Sequence, residues 1–336
     1  MESKTNKVKN SAKFISENSK HVKINLEKIQ NCSTFLLSFL KEKKLDISNW
    51  HNHPLHPSES NEKTLDWIFL VDTLNFAFWS NFIVKYKENQ YSGYSALLAA
   101  INRAIDNTIP ITQPEFLSKI TLLDVEKIFH SESEQILLID KRCEFMNQLG
   151  QVVLKKFNGK FINVVRNAQN DAEKLLDLII ENFPSFRDES VYKNQPVFFY
   201  KRAQILVADI WGCFEGKGIG KLDGIDNLTM FPDYRVPQCL NYLGIIEYSD
   251  ELMDLLKKED CFIEQNSEYE IEIRGNSVWG VELLKNETLK LIEKDPNLQN
   301  YHLNSVLIDF FLYDYAKKHH KEMQHIPIHK TKTWFY

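Results

Sequence analysis

Residues 228–256 read LTMFPDYRVPQCLNYLGIIEYSDELMDLL and carry the start and stop signals of two short helices. Pro237 suits the first turn of a helix, where backbone N–H groups have no intrahelical partner, and Gly244 suits the end of that helix. Ser249 then provides an N-cap for a second helix. The segment therefore predicts the outline of a helix-hairpin-helix, although this outline alone is weak evidence for any one function.

Outside this segment, apolar residues recur at three- and four-residue steps, which is typical of helices that bury one face. The segments with this spacing are 95–106, 121–129, 133–149, 171–183, 198–214 and 305–319. Strand signals are sparse, and the clearest is the period-two alternation of YEIEIRG, Tyr269–Gly275. The sequence thus predicts a mainly α fold with a short β element, in a single domain over residues 1–336.

The composition limits the classes of protein to consider. The 336 residues include 41 Lys and Arg against 46 Asp and Glu, so the formal charge is −5. Proteins that bind long nucleic acids through the phosphates need a basic surplus, which this chain lacks. Hydrophobic residues make up 43% of the chain, which is enough for a buried core and argues against disorder.

The N-terminus and the cysteines indicate the compartment. Residues 1–20 are polar and rich in lysine, unlike a secretory signal peptide, and no apolar run approaches the roughly 20 residues that span a bilayer. The five cysteines include no C-x-x-C pair, which fits free thiols in a reducing compartment and gives no zinc signature. We expect a cytoplasmic protein without a membrane partner, with the nucleus as the alternative.

Several acidic residues interrupt apolar segments, where a polar group must be paired or functional. Asp72 lies in WIFLVDTLNFAFW, Trp67–Trp79, and either satisfies a buried helix end or lies at a pocket wall. Asp309 and Tyr313 share one face of a helix, whereas Asp314 points away from that face. The two acids in this helix either form structural ion pairs or accept hydrogen bonds from the N–H groups or the cation of a ligand.

Basic, acidic and histidine residues elsewhere have both a structural and a functional interpretation. Lys201 and Arg202 form either a solvated charge pair or a phosphate site. Asp233, close before Arg235, is either a helix N-cap or an ionised acid that stabilises an oxocarbenium-like transition state at a sugar. His53 lies in HNHPLHP, whose spacing matches no standard metal site, so a hydrogen-bonding or stacking role is the better interpretation.

Six segments, in the same order along the chain, resemble the queuosine-salvage family, whose members are queuosine 5′-phosphate N-glycosylases/hydrolases. They are FISENSKHV (Phe14–Val22), WIFLVDTLNFAFW (Trp67–Trp79), FYKRAQILVADIWGCFEGKG (Phe199–Gly218), MFPDYRVPQCLNYLG (Met230–Gly244), EIRGNSVWGVELL (Glu272–Leu284) and LIDFFLYDYA (Leu307–Ala316). The proline of FPDYR stands where the family commonly has alanine, which changes little. Several long matches together are far more specific than any single motif.

The resemblance implies a helical fold related to the helix-hairpin-helix DNA glycosylases. It implies hydrolysis of the N-glycosidic bond of queuosine 5′-phosphate, which releases queuine and ribose 5-phosphate for queuine salvage into tRNA modification. It implies no cofactor and no metal. The expected partners are this nucleotide and queuine, with no long nucleic acid and no membrane, and the expected state is a monomer.

The resemblance also assigns roles to residues of this sequence. Asp233 matches the acid regarded as catalytic, and Phe231 lies beside it at the base. His53 matches a base-contacting histidine, and Asp72 lies in one of the matching segments and is taken as a further substrate-binding residue.

A second group of residues matches the C-terminal D-x-x-x-W/Y-D segment of the family. Asp309, Tyr313 and Asp314 match it, and we infer that they face the guanine-like edge or the amine of the base. For the 5′-phosphate we infer a set of basic residues, namely Lys201, Arg202 and Arg235.

Two rival functions stay open. A DNA-base glycosylase needs a basic groove and a means of flipping the base, and the net charge argues against it. A non-catalytic binding protein for a modified nucleoside needs no ionised acid at the sugar, so Asp233 beside Arg235 favours an enzyme.

A 7-deaza base lacks the N7 atom through which acid assists the departure of purines, so stabilisation of the ribosyl cation would carry more of the catalysis.

Overall fold

A computed structural model describes residues 2–336, which fall into two compact units. Unit one comprises the residues up to Asn49, Asp188–Gln204 and Gly224–Lys332, and unit two comprises Trp50–Arg187, Ile205–Asp223 and Thr333–Tyr336. Helices make up 57% of the chain, which confirms the predicted mainly α fold. The single domain over residues 1–336 stays a prediction.

The elements are numbered in chain order. The helices are α1 Lys4–Asn18, α2 Leu26–Lys41, α3 Glu62–Leu74, α4 Gly93–Asp106, α5 Pro114–Leu117, α6 Leu122–Ile128, α7 Ile139–Lys156, α8 Phe161–Asn167, α9 Ala172–Asn182, α10 Lys201–Cys213, α11 Arg235–Tyr242, α12 Asp250–Leu256, α13 Glu268–Lys294 and α14 Ser305–Lys318. The strands are β1 Val22–Ile24, β2 Ile83–Tyr86, β3 Asn89–Ser92, β4 Glu189–Tyr192, β5 Gln195–Phe198 and β6 Ile246–Tyr248.

Unit one is built around α13, which is 27 residues long. Helices α1, α2, α11 and α14 pack against it, and its N-terminal half is buried. Strand β1 pairs with β6 and strand β4 pairs with β5, both antiparallel. The strands are too short to form an independent sheet, so the β4–β5 hairpin lies against α1 instead.

The strand predicted over Tyr269–Gly275 is wrong, because these residues form the first turns of α13. Ser267 caps this helix by accepting a hydrogen bond from the Glu270 backbone N–H. The segment alternates between charged and apolar residues, which is typical of a strand with one exposed face. In the structure, however, the charged Glu272 and Arg274 are buried together with Ile271 and Ile273. Each of these charged side chains has its own buried partners, so the period of the apolar residues does not report the backbone conformation.

The helix-hairpin-helix outline matches α11, the short strand β6 and α12. Helix α11 ends before Gly244, whose φ of +74° is in the left-handed region that glycine adopts without strain. Ser249 caps α12 through a hydrogen bond from the Leu252 backbone N–H, as predicted. The further relation to DNA glycosylases stays a prediction.

The other predicted helices match α4, α6, α9 and α14 closely, whereas α7 and α10 begin later than their apolar patterns. Helix α7 begins at Ile139 because Leu138 has a φ of +56°, which a right-handed helix does not tolerate. Helix α10 begins at Lys201, since Phe198 belongs to β5 and Tyr200 has a φ of +51°.

Unit two has α3 as its most buried helix, and α4, α7 and α8 pack against it. The β2–β3 hairpin lies against α4. Buried Arg142 donates hydrogen bonds to the Leu74 and Phe76 carbonyls, and the Ala77 N–H donates to the Tyr336 carbonyl. Within residues 2–336, none of the helices combines the length and the apolar character that a membrane crossing needs.

Candidate active site

The loop that leads into α11, residues 229–235, is the centre of the candidate site in unit one. Its first residue is held by Gln204 of α10, whose Oε1 accepts a hydrogen bond from the Thr229 N–H at 2.9 Å. The Gln204 Nε2 in turn donates to Thr229 Oγ1 at 2.9 Å. Both side chains are buried, so this pair fixes the start of the loop without competition from water.

Two charged side chains hold the next residues of the loop. Asp309 of α14 accepts a hydrogen bond from the Phe231 N–H at 2.9 Å. Arg274 of α13 donates from Nε to the Pro232 carbonyl at 3.1 Å. The backbone is therefore held at the Met230–Phe231 and Pro232–Asp233 peptide groups, which lie on the two sides of the Phe231–Pro232 bond.

Asp233 itself is half-buried at the N-terminus of α11. Its Oδ1 accepts hydrogen bonds from the N–H groups of Arg235 at 2.8 Å and Val236 at 3.0 Å. Helix N-termini favour negative charge, so this contact suits a carboxylate. No described residue donates a hydrogen bond to Oδ2, which leaves that oxygen for a ligand or water. Tyr234 is the residue at the N-cap position of α11, and the Asp233 side chain accepts the first N–H groups of the helix from one residue further back, an arrangement that is compatible with a functional role.

Two tyrosines lie close to Asp233. Burial raises the pKa of Tyr234 to about 12. Burial also raises the pKa of Tyr313, and the neighbouring Tyr234 and Asp233 contribute to this rise. Both phenols therefore stay protonated at neutral pH and can donate a hydrogen bond.

A basic pair accompanies these groups. The Arg235 guanidinium lies 5.3 Å from the Tyr234 ring centroid and donates to Gln238 Oε1 at 3.2 Å. The Lys317 Nζ lies 5.3 Å from the Tyr313 ring centroid. Burial lowers the pKa of Lys317, and the charge of Arg235 contributes to the lowering. Sequence reasoning missed Lys317, although its position one helical turn after Asp314 pointed to the same face.

Asp314 is exposed, which contrasts with the buried Asp309 of the same helix. Partial desolvation by the surrounding protein nevertheless raises the pKa of Asp314, and the positive charge of Lys317 partly offsets this rise. Of these two acids, Asp314 has the larger accessible surface for a ligand. Asp309 has one oxygen committed to the Phe231 N–H.

Lys201 and Arg202 form the first turn of α10 and are only 4% and 1% exposed. The interpretation as a solvated surface pair is therefore wrong. The Lys201 N–H donates to Asp188 Oδ2 at 3.2 Å. Asp188 also accepts two hydrogen bonds from Arg274, with Nη1–Oδ1 at 3.1 Å and Nη2–Oδ2 at 2.5 Å.

Sequence reasoning also missed Arg274, Asp188 and Gln204. Their side chains form hydrogen bonds with the 229–235 loop or with the start of α10, although each is separated in the sequence from the residue that it contacts. A buried arginine is rare enough to be a signal, but its burial was hidden by the strand interpretation of the YEIEIRG segment. Arg274 also lies over the Phe199 ring, 4.1 Å from its centroid. Burial, and then the charge of Arg274, lower the pKa of nearby His329 to about 3, so this imidazole is neutral.

The remaining predicted residues lie as follows. Phe231 is 2% exposed, with its ring centroid 6.3 Å from that of Phe310, so it has little free ring surface. His53 and Asp72 belong to unit two, where Asp72 is fully buried in α3 and the His53 ring lies 4.6 Å from that of His56. Among residues 2–336, no group of three or more histidine, cysteine or acidic side chains is suited to hold a metal ion.

The fold and the site define a mainly helical protein with a carboxylate-centred polar site at a helix N-terminus. The chain belongs to the queuosine salvage protein family, whose model matches residues 55–336. It is 42% identical over 333 residues to a queuosine 5′-phosphate N-glycosylase/hydrolase of Mus musculus, which covers 97% of both chains.

More distant relatives carry the same name. The Schizosaccharomyces pombe protein is 40% identical over 323 residues, which covers 91% of this chain and 90% of the relative. The Sphaerobacter thermophilus protein is 36% identical over 287 residues, which covers 85% of each chain. These comparisons confirm the family that the six sequence segments predicted.

Proposed function

We propose that this protein hydrolyses the N-glycosidic bond of queuosine 5′-phosphate and thereby supplies queuine for tRNA modification. The observation that carries the proposal is Asp233, which has one oxygen anchored on a helix N-terminus and the other without a described donor. The names of the relatives support the substrate and the reaction. The products are queuine and ribose 5-phosphate.

The proposed reaction consumes one water. The bond between C1′ of the ribose and N9 of the base breaks, and its electron pair leaves with the base. The oxygen of water then bonds to C1′, and of its two protons one stays on the new hydroxyl and the other passes to solvent as the base takes up a proton. Asp233 Oδ2 stabilises the oxocarbenium-like transition state and orients the water.

The two ends of the substrate have candidate contacts in unit one. The exposed Asp314 carboxylate suits the protonated amine of the base, and Tyr313 suits an acceptor on its ring. Lys201, Arg202 and Arg235 are the proposed phosphate residues. The roles of Phe231, Asp309, His53 and Asp72 stay predictions as well; the burial of Phe231 and Asp309 favours a supporting role for these two.

We infer that the protein acts as a monomer in the cytoplasm, with the nucleus as the alternative. The net charge of −5 supports the absence of a long nucleic-acid partner. The resemblance to the family implies a hydrolysis that uses no cofactor.

The test is incubation of the protein with queuosine 5′-phosphate, with free queuine measured by mass spectrometry. We expect release of queuine together with an equal amount of ribose 5-phosphate. Binding of the nucleotide without release would favour the non-catalytic binding protein. Release of a base from DNA, but not from this nucleotide, would favour the DNA-base glycosylase.

A further inference from the structure

Arg274 is the centre of a buried charged cluster in unit one. Its side chain is 2% exposed and lies between two buried acids, Asp188 and Glu270. The Arg274 Nη1 donates to Glu270 Oε1 at 3.2 Å as well as to Asp188. Such a cluster is costly to bury, and it stabilises a fold only where its geometry is complete.

The guanidinium also joins two functional segments that are distant in sequence. On one side Nε donates to the carbonyl of Pro232, the residue immediately before Asp233. On the other side Nη1 and Nη2 bind Asp188, whose Oδ2 accepts the backbone N–H of Lys201. A lysine has a single ammonium and cannot hold these directions at once, whereas the planar fork of arginine can.

We propose that Arg274 is a positioning residue that sets the separation between the Asp233 carboxylate and the Lys201 ammonium. The inference rests on the proposed function, in which Asp233 acts at C1′ and Lys201 binds the 5′-phosphate. The ribose connects C1′ to the phosphate over a nearly fixed length, so a bound phosphate aligns C1′ with Asp233 only if that separation is correct. Arg274 thereby converts phosphate binding into orientation of the sugar.

The test is a double-mutant cycle on kcat/KM for queuosine 5′-phosphate, with Arg274→Lys, Lys201→Ala and the double variant. Lys201→Ala removes the ammonium but keeps the backbone N–H that Asp188 accepts. We expect roughly tenfold or greater losses for each single variant, mainly in kcat for Arg274→Lys. We expect kcat/KM of the double variant to lie within about threefold of the value for the less active single variant.

A merely structural role gives a different result. Partial unfolding of Arg274→Lys lowers the active fraction, and this loss multiplies with that of Lys201→Ala. Lys285→Met is the matched control, because Lys285 forms a buried ion pair with Glu282 at 2.7 Å in the same helix. We expect the loss of kcat/KM in Lys285→Met to multiply with the loss in Lys201→Ala. We also expect thermal unfolding to show that Lys285→Met and Arg274→Lys lose a comparable amount of stability.

Multiplicative losses for the Arg274 pair would overturn the proposal. If Arg274→Lys does not fold, Asp188→Asn weakens the same link from the other side and replaces it in the cycle. Failure of the proposed function is distinguishable, because the unmodified protein would then release no queuine. An active protein with multiplicative losses contradicts the positioning role alone.

Discussion

At the scale of single residues, the charge of Asp233 is the feature on which catalysis is expected to depend. Asp233→Asn keeps an oxygen for the Arg235 and Val236 N–H groups but removes the negative charge. We expect kcat to fall roughly 10²–10³-fold with little change in nucleotide affinity. Single-turnover release of queuine measures the first effect, and equilibrium binding measures the second.

The control for this substitution is Asp171→Asn. Asp171 caps α9 by accepting the Lys174 N–H at 3.0 Å, so the same chemical change is made at another helix N-terminus. We expect its kcat to match that of the unmodified protein. A fully active Asp233→Asn would assign the sugar cation to another group.

His329 is a residue whose burial has a consequence for acid stability. Its folded-state pKa of about 3 lies below the value of about 6.5 expected for the unfolded chain. The unfolded chain therefore binds more protons between these values, so the free energy of unfolding falls as the pH falls through this range. The expected loss from this residue approaches about 1.4 kcal/mol per pH unit below pH 6.

Urea unfolding at several pH values between 6.5 and 4.5 tests this expectation. We expect His329→Gln to flatten the dependence of the unfolding free energy on pH relative to the unmodified protein. The exposed His320, changed to Gln, provides the control and keeps the original slope. An unchanged slope in His329→Gln would mean that the buried imidazole is not the group that titrates.

At the scale of elements, most helix boundaries were predictable because the signals are local. Ser249 and Asp171 accept hydrogen bonds from N–H groups three residues ahead, so residue type and position suffice to identify these caps. Helix α13 has the same kind of local signal, since Ser267 accepts the Glu270 N–H, but the alternation of YEIEIRG pointed to a strand instead. Its Arg274 is paired with Asp188, and no local pattern reports a partner so distant in the chain.

The residues of the candidate site likewise fall into those that a local sequence pattern identifies and those that only tertiary contacts identify. Asp233 was predictable, since an acid beside an arginine before a helix is a local pattern. The support for its loop comes from Gln204, Arg274 and Asp309 on three different helices. These contacts depend on tertiary packing, so they could be identified only from the structure.

Glu272 in α13 shows how one buried carboxylate stabilises an element boundary. Its oxygens accept the backbone N–H groups of Lys20, His21 and Val22 and the hydroxyl of Tyr192. Glu272→Gln keeps the shape but loses the charge and one acceptor. We expect the free energy of unfolding to fall by about 2–4 kcal/mol, measured by urea denaturation.

The control lies one helical turn earlier. Glu268 pairs with the Lys20 Nζ at 3.2 Å at the surface, so Glu268→Gln is expected to change the free energy of unfolding by less than about 1 kcal/mol. Equal effects of the two substitutions would contradict the role assigned to the Glu272 hydrogen bonds. We expect both variants to keep their kcat per folded molecule, because neither side chain belongs to the candidate site.

At the scale of the whole molecule, the charge distribution separates the proposed enzyme from a nucleic-acid glycosylase. The chain has a net charge of −5, yet Arg235 lies two residues after Asp233 in unit one, and Lys317 is close enough to Arg235 for their charges to interact. Such an arrangement suits one phosphate group better than a polymer of phosphates. The dependence of activity on salt concentration measures the difference.

We expect kcat/KM for queuosine 5′-phosphate to fall by no more than about three- to fourfold between 50 and 200 mM NaCl, as for the release of about one counterion. A protein that neutralises six to ten phosphates would lose roughly 10³–10⁵-fold over the same range. Duplex DNA and bulk tRNA at a large excess are expected not to inhibit, because the acidic molecule repels them. A steep salt dependence together with inhibition by DNA would instead point to a polymer groove, and the single-nucleotide substrate would then have to be abandoned.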